Sequence, residues 1–189
     1  MHSRTLVRGL TAALAVAFAL TGGQASAAPA APTAEERALA PRIITYDASA
    51  SAEFRAAVDR GAAIWNESVD SVELRPVAAG QRANIRILAD NGWPRAYTTA
   101  LGSGTVYMGR QAVAQGYDTI RISSHELGHI LGLPDRKPGP CSSLMSGSSA
   151  GTACTNPRPN AAEKAEVEEN FGGTFAWPAG TPRNAVITD

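Results

Sequence analysis

Two histidines and a glutamate lie close together in the stretch SSHELGHILGLPD, residues 123–135. His125 and His129 are four positions apart, so on a helix both imidazoles lie on one face and can bind one metal ion. Glu126 follows the first histidine, outside that pair of ligands but close to a metal-bound water, for which its carboxylate can act as general base. The HExxH pattern therefore predicts a metal-dependent hydrolytic site.

A catalytic zinc site needs a third protein ligand and keeps its fourth position open for water. Gly132 can adopt the left-handed backbone conformation that ends a helix and turns the chain back, and Pro134 stiffens the return. Asp135 is thereby placed to offer a carboxylate oxygen to the ion.

The same residues leave two other functions open. An HExxH match also arises by chance, and the chain can be a secreted zinc-binding module without proteolysis. Glu126 distinguishes a protease from such a module, because a structural zinc needs no base and usually closes its fourth position with another Cys or His. A zinc hydrolase that acts on peptidoglycan peptides or side-chain amides is the second alternative.

The motif needs a helix and a sheet to position it. Apolar residues at helical spacing predict an active-site helix over residues 119–133 and a packing helix over residues 51–68. Strands are predicted at residues 43–46 and in the segments SVELRPV, ANIRILAD and GTVYMGR. We expect an α+β fold with a single catalytic domain, in which a small mixed sheet carries the active-site helix, the packing helix and a C-terminal helix.

One strand of this sheet is a candidate for binding substrate. The segment RAYTTALGSGTVYMG combines polar residues with glycine, which suits an edge strand open to peptide addition. A plain β-hairpin is the alternative reading of the same segment.

The composition favours one globular domain. The chain has 189 residues, of which 44% are hydrophobic and 18% charged, which is the ordinary globular range. Its 17 basic and 17 acidic residues are scattered, so neither a nucleic-acid surface nor a membrane-binding patch is indicated. We expect a monomer whose partners are protein or peptide substrates.

The N-terminal residues predict export. Arg4 and Arg8 precede an apolar run from Leu10 to Leu20, and a small-x-small cleavage sequence ends at Ala27. A membrane anchor is the alternative, but it needs about 20 apolar residues. We therefore predict a signal peptide over residues 1–27, a propeptide or linker over 28–42, a catalytic domain over 43–172, and a tail over 173–189 for which no structure is predicted.

The two cysteines, Cys141 and Cys154, are the only ones in the sequence. An even count in an exported chain predicts one disulfide. A catalytic thiol is the alternative, and no histidine follows either residue to support it.

The stretch HELGHILGLPD resembles the HExxHxxGxxD zinc site of the snapalysins, which are small secreted neutral metalloproteases of streptomycetes with a metzincin-like zincin fold. The segments ITYD, AAIWNESV, GPCSSLMSG and CTNPRPNAAE also resemble that family, so the similarity covers about residues 43–170. The resemblance implies a single-domain extracellular endopeptidase that cuts on the amino side of aromatic residues.

Carried over residue by residue, the resemblance implies zinc bound by His125, His129 and Asp135, with Glu126 as general base. It places Met145 in a Met-turn beneath the metal, where a methionine packs as an ordinary core residue. It also implies that Cys141 and Cys154 form the single disulfide of the family.

Two further positions follow from the same comparison. A structural calcium ion would take the carboxylate of Asp118 and the carbonyl of Ile120, while a helix N-cap is the alternative role for Asp118. Lys137 stands where relatives have a tyrosine that helps to stabilise the reacting carbonyl oxygen. A lysine there can supply positive charge, or it can be a solvated loop residue.

Overall fold

The computed structural model describes residues 40–172 and 185–188. The strands are β1 (Arg42–Ala50), β2 (Val72–Pro76), β3 (Ile85–Asp90), β4 (Arg95–Ala100), β5 (Ser103–Gly109) and β6 (Ala185–Thr188). The helices are α1 (Arg55–Asn66), α2 (Arg110–Ala114), α3 (Thr119–Ile130) and α4 (Ala161–Gly172), and 3-10 segments cover Ala52–Phe54 and Leu144–Ala150.

The strands form one mixed sheet in the order β2-β1-β3-β5-β4-β6. Strands β1, β2, β3 and β5 run parallel, whereas β4 is antiparallel to β5 and β6 is antiparallel to β4. Alternate residues of the central strands point into the core, as Ile44 and Tyr46 do in β1 and Ile87 does in β3. One face of the sheet is therefore apolar, and the helices must cover it.

Helices α1 and α3 meet closely over this core. Trp65 of α1 is fully buried and donates its indole N–H to the carbonyl oxygen of Ser124 at 2.8 Å. Gly61 allows the approach, because a Cβ there would lie 2.6 Å from the Ser123 hydroxyl oxygen. Helix α1 thus acts as the packing helix that holds α3 in place, and α3 is the helix that carries the HExxH motif.

The predicted α+β class, with its mixed sheet and three helices, is confirmed, and several boundaries differ. The packing helix is divided into a short 3-10 turn and α1, and β1 begins at Arg42, one residue before the predicted domain start. The predicted active-site helix ends at Ile130. Helix α2 was not predicted, because its run of five residues is too short to show helical periodicity.

The two ends of the chain extend beyond the described residues. The predicted signal peptide and most of the predicted propeptide, residues 1–39, lie outside them, and so do residues 173–184 of the tail. Residues 185–188 of that tail form β6, a strand that the sequence did not predict. In the described ranges no helix combines the length and apolar character needed to cross a membrane.

Candidate metal centre

Helix α3 begins at a side-chain cap, and after its first two residues it lies in the protein interior. The carboxylate of Asp118 accepts a hydrogen bond from the backbone N–H of Arg121 at 2.8 Å, which satisfies one of the free donors of the first turn. Every residue from Arg121 to Ile130 is buried. The imidazoles of His125 and His129 therefore enter the protein on a rigid, fully packed element.

The chain turns back directly after α3. Gly132 has a φ of 96°, and the N–H groups of Gly132 and Leu133 donate to the carbonyl oxygens of His129 and Gly128, each at 3.0 Å. This pair of bonds is the Schellman arrangement, which requires a left-handed residue at the glycine position. The predicted turn is present, and it returns the following residues toward the helix.

Three potential ligand atoms converge where the chain returns. The Oδ1 atom of Asp135 lies 3.3 Å from Nε2 of His125 and 3.5 Å from Nε2 of His129. The two Nε2 atoms are 3.0 Å apart. The structure thus brings together the three residues that the sequence identified as ligands, and they are the metal-binding group that the described part of the chain provides.

Backbone carbonyls fix the tautomer of both imidazoles. Nδ1 of His125 lies 3.0 Å from the carbonyl oxygen of Leu144, and Nδ1 of His129 lies 2.8 Å from that of Leu133. Because a carbonyl oxygen can only accept, each Nδ1 must carry the hydrogen and each Nε2 must present a lone pair. Burial lowers the pKa of His129 and favours this neutral form.

This arrangement fits a cation. Two lone pairs face each other across 3.0 Å, and the buried Oδ1 atom of Asp135 accepts no hydrogen bond within the described residues. Such a group of acceptors is unfavourable unless a positive charge lies between them. Two nitrogens and one oxygen match the ligands of a catalytic zinc site with one open position.

Glu126 occupies the position next to His125 and is fully buried. It lies outside the group of three converging ligands, which matches its predicted separation from the metal shell.

Met145 packs directly under the active-site helix. Its side chain is fully buried, and a Cβ at Gly128 would lie 2.8 Å from its sulfur atom. The contact places the thioether against the backbone between the two histidines. A disulfide joins Cys141 to Cys154. It closes residues 141–154, the methionine loop, which contains Met145.

Arg121 is a buried residue of this region that sequence reasoning missed. Its guanidinium donates to the carbonyl oxygens of Asn156 at 2.6 Å and Ser143 at 2.9 Å, and also to the carbonyl of Leu144 and the hydroxyl of Ser146. The helix is thereby fastened to the methionine loop. No local pattern marks this role, because the partners lie 22 or more residues away.

Glu163 is the second residue that was missed. It is fully buried in the first turn of α4, where its carboxylate accepts hydrogen bonds from the N–H groups of Asn160, Leu144 and Met145 and from the hydroxyl of Ser143. Burial opposes ionisation, but these donors hold the pKa of Glu163 below its ordinary value. The spacing of Asn160 and Glu163 is a capping box, and that signal was available in the sequence.

The remaining predicted residues lie at the rim of the centre. The carboxylate of Asp118 serves as the helix cap and is not part of the metal-binding group, so calcium at Asp118 and Ile120 stays a prediction without support. The ammonium of Lys137 lies 3.5 Å from Oδ2 of Asp135, beside this ligand, although the residue as a whole is exposed.

A mixed sheet behind an HExxH helix, with a carboxylate returned by a glycine turn, defines a zincin-like metal centre. The model of the Streptomyces extracellular neutral proteinase (M7) family matches residues 42–173. The chain therefore belongs to this family, and the resemblance noted in its sequence is confirmed.

Individual relatives agree with this assignment, and each is named an extracellular small neutral protease. The protein of Streptomyces caespitosus is 43% identical over 66% of this chain and 92% of its own length. The protein of Streptomyces coelicolor is 40% identical over 79% of this chain and 71% of its own. For Streptomyces sp. (strain C5) the identity is 38%, over 76% of this chain and 64% of the relative.

Proposed function

We propose that the chain is a secreted zinc-dependent endopeptidase. The observation that carries the proposal is the convergence of His125, His129 and Asp135, whose lone pairs point at one another in a buried site. Membership of a family of extracellular neutral proteinases supports peptide bonds as the substrate and the extracellular space as the location.

Zinc is the metal that suits these ligands best. Imidazole nitrogen with one carboxylate oxygen is a zinc ligand set, whereas calcium and magnesium prefer sites made of oxygen alone. Zinc bound here would polarise a peptide carbonyl and make water acidic enough to react near neutral pH.

The residues of the chain then divide the remaining work. Glu126 takes the proton of the attacking water and returns it to the amine that leaves. Its burial beside His125 keeps bulk water from competing for that proton. The carbonyls of Leu133 and Leu144 orient the two imidazoles, so the ligands need little rearrangement during the reaction.

Cleavage on the amino side of an aromatic residue is proposed from the family resemblance. The small cleft beside His125 is lined by Tyr117, Ile122 and Gly147, with Arg121 and Asp118 at its polar side. Ile122 and Arg121 are themselves buried, so this cleft is not proposed as the pocket for the aromatic side chain.

The direct test is casein hydrolysis by the secreted protein and by Glu126→Gln, with the zinc content of both determined. We expect both proteins to hold about one zinc and the variant to lose at least about a hundredfold in rate. If both bind zinc and neither cleaves casein or a peptide library, the secreted zinc-binding module replaces the protease. Cleavage of peptidoglycan peptides alone would instead change the substrate class.

A further inference from the structure

Glu163 and His125 are bonded to opposite ends of one peptide group. The N–H of Met145 donates to Oε1 of Glu163 at 2.9 Å, and the carbonyl oxygen of Leu144 lies 3.0 Å from Nδ1 of His125. These two atoms belong to the same planar amide, in which they point in opposite directions. The position of the Glu163 carboxylate therefore fixes the direction of the hydrogen bond that orients His125.

Three further donors hold that carboxylate rigidly. Its Oε1 atom also accepts from the Ser143 hydroxyl at 2.6 Å, and its Oε2 atom accepts from Leu144 at 3.1 Å and from Asn160 at 2.7 Å. An ionised acceptor on the amide N–H also polarises the amide, which makes its carbonyl a better acceptor for the imidazole.

We propose that Glu163 is a positioning residue for the metal ligand His125, acting through the peptide between Leu144 and Met145. This role rests on the proposed metal site but not on proteolysis. Glu163 would thus contribute to metal affinity in addition to its part in capping α4.

The test is the affinity for Co²⁺, measured by competition with a chelator and by the visible absorption of the bound ion. We expect Glu163→Gln to weaken binding about tenfold, as for other outer-shell partners, and to alter the absorption band. Asn160→Ala is the matched control, because it removes the cap of α4 and leaves the methionine loop bonded to Glu163. We expect it to lower stability without changing the affinity.

Equal affinity in Glu163→Gln and the unaltered protein, or an equal loss in Asn160→Ala, would overturn the role. Should Glu163→Gln fail to fold, Ser143→Ala removes a single donor to Oε1, and a loss of about threefold is expected; no change there also rejects the proposal. Absence of Co²⁺ binding by the unaltered protein would instead reject the metal site itself.

A separate observation concerns the outer edge of β4. The hairpin of β4 and β5 is attached to the end of α3, since the N–H of Gly102 donates to the carbonyl oxygen of Ile130 at 2.9 Å. The side chain of Leu101 also approaches Gly132, where a Cβ would lie 3.0 Å from it. An extended peptide added to β4 would therefore lie beside the turn that presents Asp135.

That edge is already paired. Strand β6 runs antiparallel to β4, with Tyr97 opposite Val186 and Ala96 opposite Ile187. Strand β6 lies outside residues 42–173, the segment that matches the family, whereas β4 lies within it. It uses the backbone groups that a peptide substrate needs for strand addition.

We infer that the strand Ala185–Thr188 competes with extended peptides for the edge of β4, so that the chain limits its own access to substrate. The inference rests on the proposed endopeptidase function. A tethered strand has a high effective concentration, and substrate must displace it before binding.

The experiment uses the full chain with Val186→Pro and Ile187→Pro combined, and Val186→Ala with Ile187→Ala as the matched control. Bonded residues alternate along an antiparallel ladder, so one of the two prolines removes a donor to β4 whichever residue supplies it. We expect KM for casein to fall about fivefold in the proline variant with kcat unchanged, and little change in the alanine control.

A second arm separates this inference from the proposed function. A labelled NAVITD peptide, the sequence of residues 184–189, is titrated into the Glu126→Gln protein with and without the prolines. We expect binding only with the prolines. An unchanged KM, together with equal peptide binding by the proteins with and without the prolines, would overturn the inference. Peptide binding only with the prolines, but no casein cleavage by the unaltered protein, would reject the endopeptidase function and leave the competition at β4 standing.

Discussion

The two histidines of the proposed metal centre are supported in different ways. His129 bonds to the carbonyl of Leu133, four residues further along, through a turn that Gly132 makes possible. His125 bonds to the carbonyl of Leu144, 19 residues away, in a loop that Arg121 and Glu163 hold in place. One support is local and depends on backbone conformation, whereas the other depends on two buried charges, Arg121 of α3 itself and Glu163 of α4, that hold a loop distant in sequence.

The distant support is expected to be the more sensitive of the two. Arg121→Met keeps the bulk of the side chain but removes the charged donor from the buried carbonyls of Ser143 and Leu144. Leaving such acceptors without partners costs about 3 kcal/mol or more. Urea unfolding should show this loss, together with weaker Co²⁺ binding. Arg55→Met, at an exposed position, serves as control and should stay within about 0.5 kcal/mol; equal effects at both sites would contradict the comparison.

The local support should break at Gly132. Alanine at a φ of 96° costs about 1–2 kcal/mol, and its Cβ would lie 2.7 Å from the Asn170 amide nitrogen. Gly132→Ala should therefore reduce both stability and metal affinity. Gly80 has a φ of 77° and no atom within 4 Å of an added Cβ, so Gly80→Ala should lower stability alone. A Gly132→Ala protein that binds Co²⁺ normally would show that the turn does not position His129 or Asp135.

Acid should weaken the distant support, because that support uses the ionised carboxylate of Glu163. The folded pKa of Glu163 is below its ordinary value of 4.5, so its stabilising contribution is complete above pH 4.5 and is lost as the pH falls through the folded value. Urea unfolding of the metal-free protein between about pH 6 and pH 3 should show a steeper decline than in Glu163→Gln. Parallel curves for the two proteins would refute this assignment.

Lys137 should have the smallest effect. Its ammonium lies 3.5 Å from the outer oxygen of Asp135, with both side chains 25% exposed, and pairs of this kind contribute up to about 1 kcal/mol. Because the ammonium competes with a metal ion for the carboxylate, Lys137→Met should tighten Co²⁺ binding by no more than about fivefold. Lys137→Arg retains the charge and should match the unaltered protein. Weaker binding in Lys137→Met would assign the lysine to holding Asp135 in position.

The local and the distant support also differ in how far the sequence predicts them. The α+β class and the turn at Gly132 followed from periodicity and glycine chemistry, which act over a few residues. The family followed from the resemblance of the stretch HELGHILGLPD to a known zinc site. Asn160 and Glu163 show a capping box in the sequence, but nothing local indicates that the same carboxylate reaches Ser143 and Met145. The pairing of β6 with β4 was likewise invisible, because strand addition joins segments that are distant in sequence.

The convergence of three side chains could be inferred from the residues alone, since helical spacing places His125 and His129 on one face and Gly132 returns Asp135. The surroundings of that group depend on tertiary packing: which carbonyl fixes each imidazole, which charges hold the methionine loop, and which strand covers β4. Local geometry follows from neighbouring residues, whereas these contacts exist only after distant segments have packed and buried their polar groups together.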